Sequence, residues 1–145
     1  MGFANFNRRF IKDYSKKALP LTEVTKKEEG FKWGTSQEKA FKILKQYCVD
    51  PPVLCMFRSN EPARIETDAS DLAIGATLLQ ERDDKWHPVA YHSRKMSGAE
   101  QNYDIHDKEL LAVVAALQQW RQYAESCSEL TIFTDHKKPS QLRDD

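Results

Sequence analysis

The sequence has too few cysteines, placed too far apart, for a disulfide framework or a structural zinc site. Cys48, Cys55 and Cys127 form no CxxC pair and are odd in number, which favours a reducing compartment. No run of about 18 apolar residues is present, so no membrane-spanning helix is expected. The first residues also lack the basic-then-apolar layout of a secretory signal. We therefore expect an intracellular protein, in the cytoplasm or nucleus, with no membrane partner.

Neither sign of charge is in excess over the whole chain, but the two signs are unevenly distributed. The 145 residues are 40% hydrophobic and 30% charged, a composition typical of one globular domain, or of a small domain with an appendage. Residues 1–50 carry a net charge of +5 and residues 51–145 a net charge of −5. This division suits a protein that binds a polyanion with its front part and concentrates carboxylates in its rear. Ordinary variation of surface charge explains it equally well.

The front part, residues 1–52, shows helical periodicity and is predicted to be a helical segment. Residues 3–14 read as one basic amphipathic helix, whose apolar side holds Phe3, Phe6, Phe10, Ile11 and Tyr14. Leu19-Pro20-Leu21 is expected to break the helical structure. A second helix is expected to begin at a cap on Thr35 or Ser36 and to end before Pro51.

After about residue 60 the period changes from helical to alternating, which indicates strands. Strands are predicted over residues 64–68, 73–79, 86–94 and 130–134, with one long helix over about residues 100–123 before the last strand. The order predicts an α/β fold: three antiparallel strands, a crossover helix, and a fourth strand parallel to its neighbour in a mixed sheet covered by helices. Trp33, Trp86 and Trp120 are expected to anchor the core.

Three acidic residues occupy positions from which their side chains could meet. Asp68 closes the first strand, Asp135 closes the last, and Glu109 shares the predicted inward stripe of the long helix with Val113 and Leu117. Carboxylates without His or Cys ligands suit Mg²⁺ or Mn²⁺. Two such ions about 4 Å apart can activate water and stabilise the leaving oxygen in phosphodiester cleavage. The alternative is ordinary: a strand-end acid is often a turn former, and a helical Glu is usually solvated.

Several segments resemble one family, in the family's own order. Residues 65–76, 88–96, 100–112 and 134–137 are similar to the first three strands, the acid-bearing helix and the fourth-strand end of the ribonuclease H (RNase H) domain of gypsy-type LTR retrotransposons. Residues 2–11 and 31–41 resemble the thumb and connection region that follows the polymerase palm. The resemblance runs from about residue 2 to residue 138, and it divides the chain into a thumb/connection-like segment (1–52), a truncated RNase H-like domain (61–138) and a tail (139–145).

The resemblance implies hydrolysis of RNA in an RNA/DNA hybrid, within a polyprotein that also copies RNA into DNA. Carried over by position, Asp68, Glu109 and Asp135 are the catalytic acids and the metal ligands, with two Mg²⁺ or Mn²⁺ ions. Gly75 would let the nucleic-acid backbone approach closely, although a plain strand glycine is an equally good reading. His136 borders Asp135 and is a candidate substrate contact, although a packed or exposed histidine is the better explanation.

A set of basic residues in the first helical segment could contact phosphates without sequence specificity: Arg8, Arg9, Lys12, Lys16 and Lys17. A solvated helix face is an equally good explanation of the same residues.

The chain departs from the family pattern in what it does not contain. The Tyr-x-Asp-Asp loop of the polymerase palm is absent, so no polymerisation is expected. The family's later helices, last strand and fourth acidic ligand are also missing. Two functions therefore remain open: a Mg²⁺-dependent RNase H, or an inactive remnant that at most binds nucleic acid through its basic front part.

Overall fold

A computed structural model of the protein describes residues 2–6, 8–26, 30–50 and 53–134. The front part contains helix α1 (Gly2–Phe6), a 3-10 helix (Arg8–Phe10), helix α2 (Tyr14–Val24) and helix α3 (Thr35–Val49). Within these described ranges, no helix is long and apolar enough to cross a lipid bilayer.

The rear part is built on strands β1 (Ala63–Ala69), β2 (Ala73–Arg82), β3 (Lys85–Lys95) and β4 (Leu130–Thr134). Their order in the sheet is β3-β2-β1-β4; β1, β2 and β3 are antiparallel neighbours, whereas β4 lies parallel to β1. The predicted mixed sheet is therefore confirmed. The connection between β2 and β3 is a two-residue turn, in which Asp83 and Asp84 adopt the positive φ angles, 52° and 59°, that a tight hairpin needs.

Between β3 and β4 the chain forms α4 (Gly98–Gln101), α5 (Ile105–Gln119) and α6 (Arg121–Ser126) rather than one long helix. The first break follows from capping, because the side chain of Asp104 accepts a hydrogen bond from the N–H of Asp107 and so starts a new helix. The second lies at Trp120, whose backbone leaves the helical region.

Helix α5 covers one face of the sheet through small side chains. Ala116 is fully buried and packs with Ile65 and Leu78, which face each other across β1 and β2. The buried face of the helix is formed by alanines, Ala112, Ala115 and Ala116, whereas Val114 is exposed. Alanine lets the helix axis lie close to the sheet. The hydrophobic pattern predicted instead that the larger residues Val113 and Leu117 form the inward stripe of the helix.

The other face of the sheet is covered by the 3-10 helix and α2, which pack on β2 and β3. The single helix predicted over residues 3–14 is wrong, because Asp13 has a left-handed backbone conformation (φ 54°) and separates the 3-10 helix from α2. Helix α2 also continues through Pro20. Ala18 and Leu21, on either side of that proline, are buried against Ala40 and Leu44 of α3, and this packing offsets the cost of the proline.

Of the three tryptophans, Trp120 is buried as predicted, but Trp33 and Trp86 are exposed. Trp33 stacks on Phe31, and Trp86 lies under the guanidinium of Arg64. Their rings are covered by neighbouring surface side chains, not by the core.

Candidate active site

An open cavity of about 320 Å³ lies between the helical front part and the sheet, beside the end of β1. Its walls come from the two residues that precede α2 and from β1, β2 and β4. The charged residues that line it are Lys12, Asp13, Glu66 and Asp68. Three carboxylates and one amine therefore face one small space on the sheet face that is opposite to α5.

Asp68 is the last residue but one of β1, and its carboxylate binds the ammonium group of Lys16 from α2. The side chain of Asp68 is 47% exposed and that of Lys16 is 28% exposed. Strand residues alternate between the two faces of a sheet, so Asp68 points away from the α5 face to which Ile65 belongs. Asp68 is therefore reachable from solvent, but its charge is already balanced by an internal cation.

Gly75 lies opposite Asp68 in the β1–β2 pairing. A Cβ atom at Gly75 would lie 2.5 Å from Oδ1 of Asp13, which is closer than real Cβ atoms approach such an atom. The glycine therefore permits a close approach, and the group that approaches is the carboxylate of Asp13. The contact of Gly75 with nucleic acid stays a prediction.

Two hydrogen bonds to Ser93 of β3 fix the front part on the sheet. The N–H of Ser15 donates to Oγ of Ser93 over 2.9 Å, and Nη2 of Arg8 donates to the carbonyl oxygen of Ser93. Arg8 also donates to Oγ of Ser15 and lies over the ring of Tyr14. Its guanidinium is engaged within the protein, whereas Arg9 and Lys12 are exposed.

Burial lowers the pKa of His92, and the guanidinium groups of Arg8 and Arg94 lower it further. His92 is therefore neutral at physiological pH, and its ring lies edge-on to Trp120 on the α5 side of the sheet.

Glu109 lies in the second turn of α5 and is half-buried. It is three residues before Ala112 and seven before Ala116, so it shares the helix face that packs on the sheet. It does not line the cavity beside Asp68. The third predicted acid, Asp135, and His136 lie outside the described residues, and within the described ranges there is no group of three or more His, Cys, Asp or Glu residues that could hold a metal ion.

Comparison with known proteins decides the lineage of this fold. The family model for the RNase H-like domain found in reverse transcriptase matches residues 33–132. The chain belongs to this family. The match starts just before α3 and ends within β4, so it includes Asp68, Gly75 and Glu109 but not the α2 residue Lys16.

Two relatives of this RNase H-like domain are the Transposon Tf2-3 and Tf2-4 polyproteins of Schizosaccharomyces pombe. Each is 45% identical to the chain over 139 residues, which is 94% of the chain and 10% of the polyprotein. The chain thus spans about a tenth of the length of these curated relatives. The predicted lineage, an RNase H-like domain of a retrotransposon reverse transcriptase, is confirmed.

Solved structures share the fold. The foamy viral protease-reverse transcriptase dRH in complex with ds DNA has a TM-score of 0.71 at 19% identity, and covers 92% of this chain and 23% of its own. The foamy viral protease-reverse transcriptase in complex with RNA/DNA hybrid has a TM-score of 0.68 at 18% identity, and covers 92% of this chain and 18% of its own. At this identity the likeness establishes the α/β architecture of the RNase H-like domain.

The sequence did not predict the partners of Asp68 in the RNase H-like domain. Lys16 was one of five basic residues assigned to phosphate, and Asp13 and Ser93 were not singled out. Lys16 and Asp68 are 52 residues apart in sequence. The opposite charges of the two parts of the chain are the one signal that pointed to such a pairing.

Proposed function

We propose that this chain cuts the RNA strand of RNA/DNA hybrids, as the magnesium-dependent RNase H endonuclease of a gypsy-type reverse transcriptase polyprotein. The observation that carries the proposal is the pairing of β1 with β4. Thr67 pairs with Thr134, and in the sequence each is followed by a predicted metal ligand, Asp68 or Asp135. Parallel neighbouring strands end at the same edge of a sheet, so this register supports a common position for the two acids.

A hard divalent cation, Mg²⁺ or Mn²⁺, suits the three proposed ligands, because Asp68, Glu109 and Asp135 offer only carboxylate oxygens. One feature of the fold also fits a cation there, since Asp68 already binds the ammonium group of Lys16. When bound, two Mg²⁺ ions supply an activated water and stabilise the leaving oxygen of the phosphodiester. The protein's part is to hold Asp68 firmly on β1, between β2 and β4, and to offer Glu109 from α5.

Nucleic acid is the proposed partner, and the charge of the front part supports it. Arg9 and Lys12 are exposed, and Lys12 lines the cavity beside Asp68. Contacts from such residues to phosphates position a duplex without reading its sequence, and the ribose 2′-hydroxyl distinguishes the RNA strand. Arg8, Gly75 and His136 belong to the same proposed interface. The foamy viral structures with ds DNA and with RNA/DNA hybrid support this class of ligand.

The proposed setting is the remainder of a reverse transcriptase polyprotein in the cytoplasm or nucleus. Residues 1–52 would belong to its thumb and connection region, residues 61–138 to its RNase H-like domain, and residues 139–145 to a tail. The three cysteines are free, which agrees with a reducing compartment.

A second candidate function is nucleic-acid binding without cleavage. The observation that favours it is the Lys16–Asp68 pair, which neutralises one of the proposed metal ligands. This candidate requires hybrid binding that weakens as salt increases, because released counterions drive contacts to phosphates.

Cleavage of a labelled RNA/DNA hybrid by the 145-residue chain in Mg²⁺ tests the proposal. We expect cleavage that is lost in Asp68→Asn and in Glu109→Gln. The matched control is Asp71→Asn, which removes an exposed acid three residues from Asp68 and should leave cleavage unchanged. Salt-dependent binding with no cleavage in any variant would favour the second candidate.

A further inference from the structure

The ammonium group of Lys16 contacts the carboxylate of Asp68, one of the proposed metal ligands. Lys16 belongs to α2, outside the matched range of the RNase H-like domain, yet its side chain reaches across to the end of β1. We propose that Lys16 is an internal competitor of the divalent cation at Asp68, so that metal binding requires this side chain to move away. The inference rests on the proposed metal-binding role of Asp68.

The backbone of α2 at this point is firmly held. Tyr14 and Ala18, which flank Lys16 at a spacing of two residues, are buried. The N–H of Ser15 is bound to Ser93. These contacts keep the first turn of α2 on the sheet and leave the Lys16 side chain as the part that exchanges.

The Lys16 side chain is able to exchange because both partners of the pair reach solvent. The exposed fractions of Lys16 and Asp68, 28% and 47%, mean that water can replace each partner when they separate. A lysine has a flexible four-carbon stem and a single compact charge. A divalent ion carries twice that charge and is attracted more strongly by the same carboxylate at the same distance.

The other charges around the cavity favour a cation after Lys16 has moved. Asp13 and Glu66 face the same space as Asp68, and Lys12 is the one basic residue in its lining within the part of the chain that the structure describes. Glu66 is paired with Arg64 over 2.9 Å, so displacement of Lys16 leaves the carboxylates of Asp68 and Asp13 against the amine of Lys12. Removal of Lys16 should therefore strengthen the binding of a divalent cation.

Binding of Mn²⁺ to the 145-residue chain, measured by the loss of the free Mn²⁺ paramagnetic signal and by calorimetry, tests the proposal. Lys16→Met should tighten Mn²⁺ binding about two- to fivefold, the range that a partly exposed ion pair contributes. Lys16→Arg keeps the charge and should bind Mn²⁺ as the unmodified chain does. Asp68→Asn should remove this binding both from the unmodified chain and from the Lys16→Met variant.

The matched control is Lys17→Met, one residue further along α2. Lys17 donates to the carbonyl oxygen of Lys12 and lies over the ring of Tyr47, so it does not contact Asp68. This variant should leave Mn²⁺ affinity unchanged. Thermal unfolding shows whether each variant is folded. If Lys16→Met unfolds at a lower temperature than the unmodified chain, its Mn²⁺ affinity is compared with that of Lys16→Arg.

The outcomes separate this inference from the proposed function. If the unmodified chain and Lys16→Met bind Mn²⁺ equally well, and Asp68→Asn abolishes both, the competition is overturned while the metal site stands. If no variant shows binding that depends on Asp68, both the competition and the proposed metal site are overturned. Tighter binding in Lys16→Met alone supports the competition.

Discussion

The carboxylate of Asp13 lies against the backbone of Gly75, so close that a Cβ atom on the glycine would be 2.5 Å from Oδ1 of Asp13. The two residues join the start of α2 to the centre of the sheet, beside Asp68. Asp13 itself has a φ of 54°, a conformation that costs a non-glycine residue about 1 kcal/mol or more. This contact adds to the hydrogen bonds of Arg8 and Ser15 to Ser93 that hold the front part on the sheet.

Gly75→Ala should therefore lower the free energy of unfolding by about 1–2 kcal/mol, because the new methyl group displaces the Asp13 side chain. The same change made in an Asp13→Gly background should cost much less, since the clashing carboxylate is gone and φ is relaxed. Urea unfolding of the four members of this cycle measures the coupling. Gly98→Ala is the control, because nothing lies within 4 Å of a Cβ at Gly98. Equal costs in the two backgrounds would contradict the contact.

The β2–β3 hairpin offers a stabilising substitution. Asp83 and Asp84 both have positive φ, which a two-residue turn requires and which glycine adopts without steric cost. Asp84→Gly should raise the free energy of unfolding by about 0.5–1 kcal/mol, because relief of the left-handed conformation exceeds the entropy that glycine adds to the unfolded chain. Thermal unfolding measures it.

The control for the turn is Asp71→Gly, which removes the same charge at an exposed position in the β1–β2 connection. It should not stabilise the protein. A comparable gain from Asp71→Gly would mean that loss of negative charge, and not relief of the backbone, stabilises the chain.

The sequence predicted the strands well because each has a strong local signal. The alternating residues 64–68 and residues 130–134, which are rich in β-branched and aromatic side chains, both form strands, and the position of Asp68 near the end of β1 followed directly. Local patterns of this kind depend on neighbouring residues alone.

The sequence failed where contacts between distant segments decide the structure. The apolar residues near the start predicted one helix, but packing on β3 and the bonds of Arg8 and Ser15 to Ser93 favour a break at Asp13. The alanine face of α5 was not predicted, because alanine carries a weaker hydrophobic signal than leucine or valine. The Lys16–Asp68 pair joins residues whose proximity exists only after α2 has packed on the sheet.

The pairing of Arg94 with Glu100 predicts a specific pH dependence. Hydrogen bonds from Arg94, and then from the N–H of Ser97, lower the pKa of Glu100 from 4.5 to about 2. A carboxylate whose pKa is lower in the folded than in the unfolded state stabilises the protein above the unfolded value. This contribution is complete above about pH 4.5 and is lost as the pH falls toward 2.

Glu100→Gln should therefore lower the melting temperature at pH 7, and the difference from the unmodified chain should narrow below about pH 4.5. Thermal unfolding between about pH 7 and pH 3 measures this. The control is Glu125→Gln, which breaks the exposed pair with Arg121 and should change stability by less than about 0.5 kcal/mol. A constant difference at all pH values would show that the ionised form of Glu100 is not the stabilising species.

The close packing of α5 on the sheet links stability to the position of Glu109. Ala116 has no exposed surface and packs with Ile65 and Leu78. Ala116→Leu should destabilise the protein by about 2 kcal/mol, because the added carbon atoms force the helix away from β1 and β2. Val114→Leu, at an exposed position of the same helix, should change stability by less than about 0.5 kcal/mol.

If Glu109 takes part in cleavage from its place on α5, Ala116→Leu should also slow hybrid cleavage at a temperature where the variant is still folded. Glu109 lies two turns before Ala116 on the same face, so a helix displaced from the sheet shifts its carboxylate relative to β1. Displacements of about 1 Å reduce catalysis by about a hundredfold in well-positioned sites. Single-turnover cleavage by folded Ala116→Leu, compared with Val114→Leu, measures this effect. Unchanged cleavage in a measurably destabilised Ala116→Leu would argue that Glu109 is not held in its working position by the α5–sheet contact.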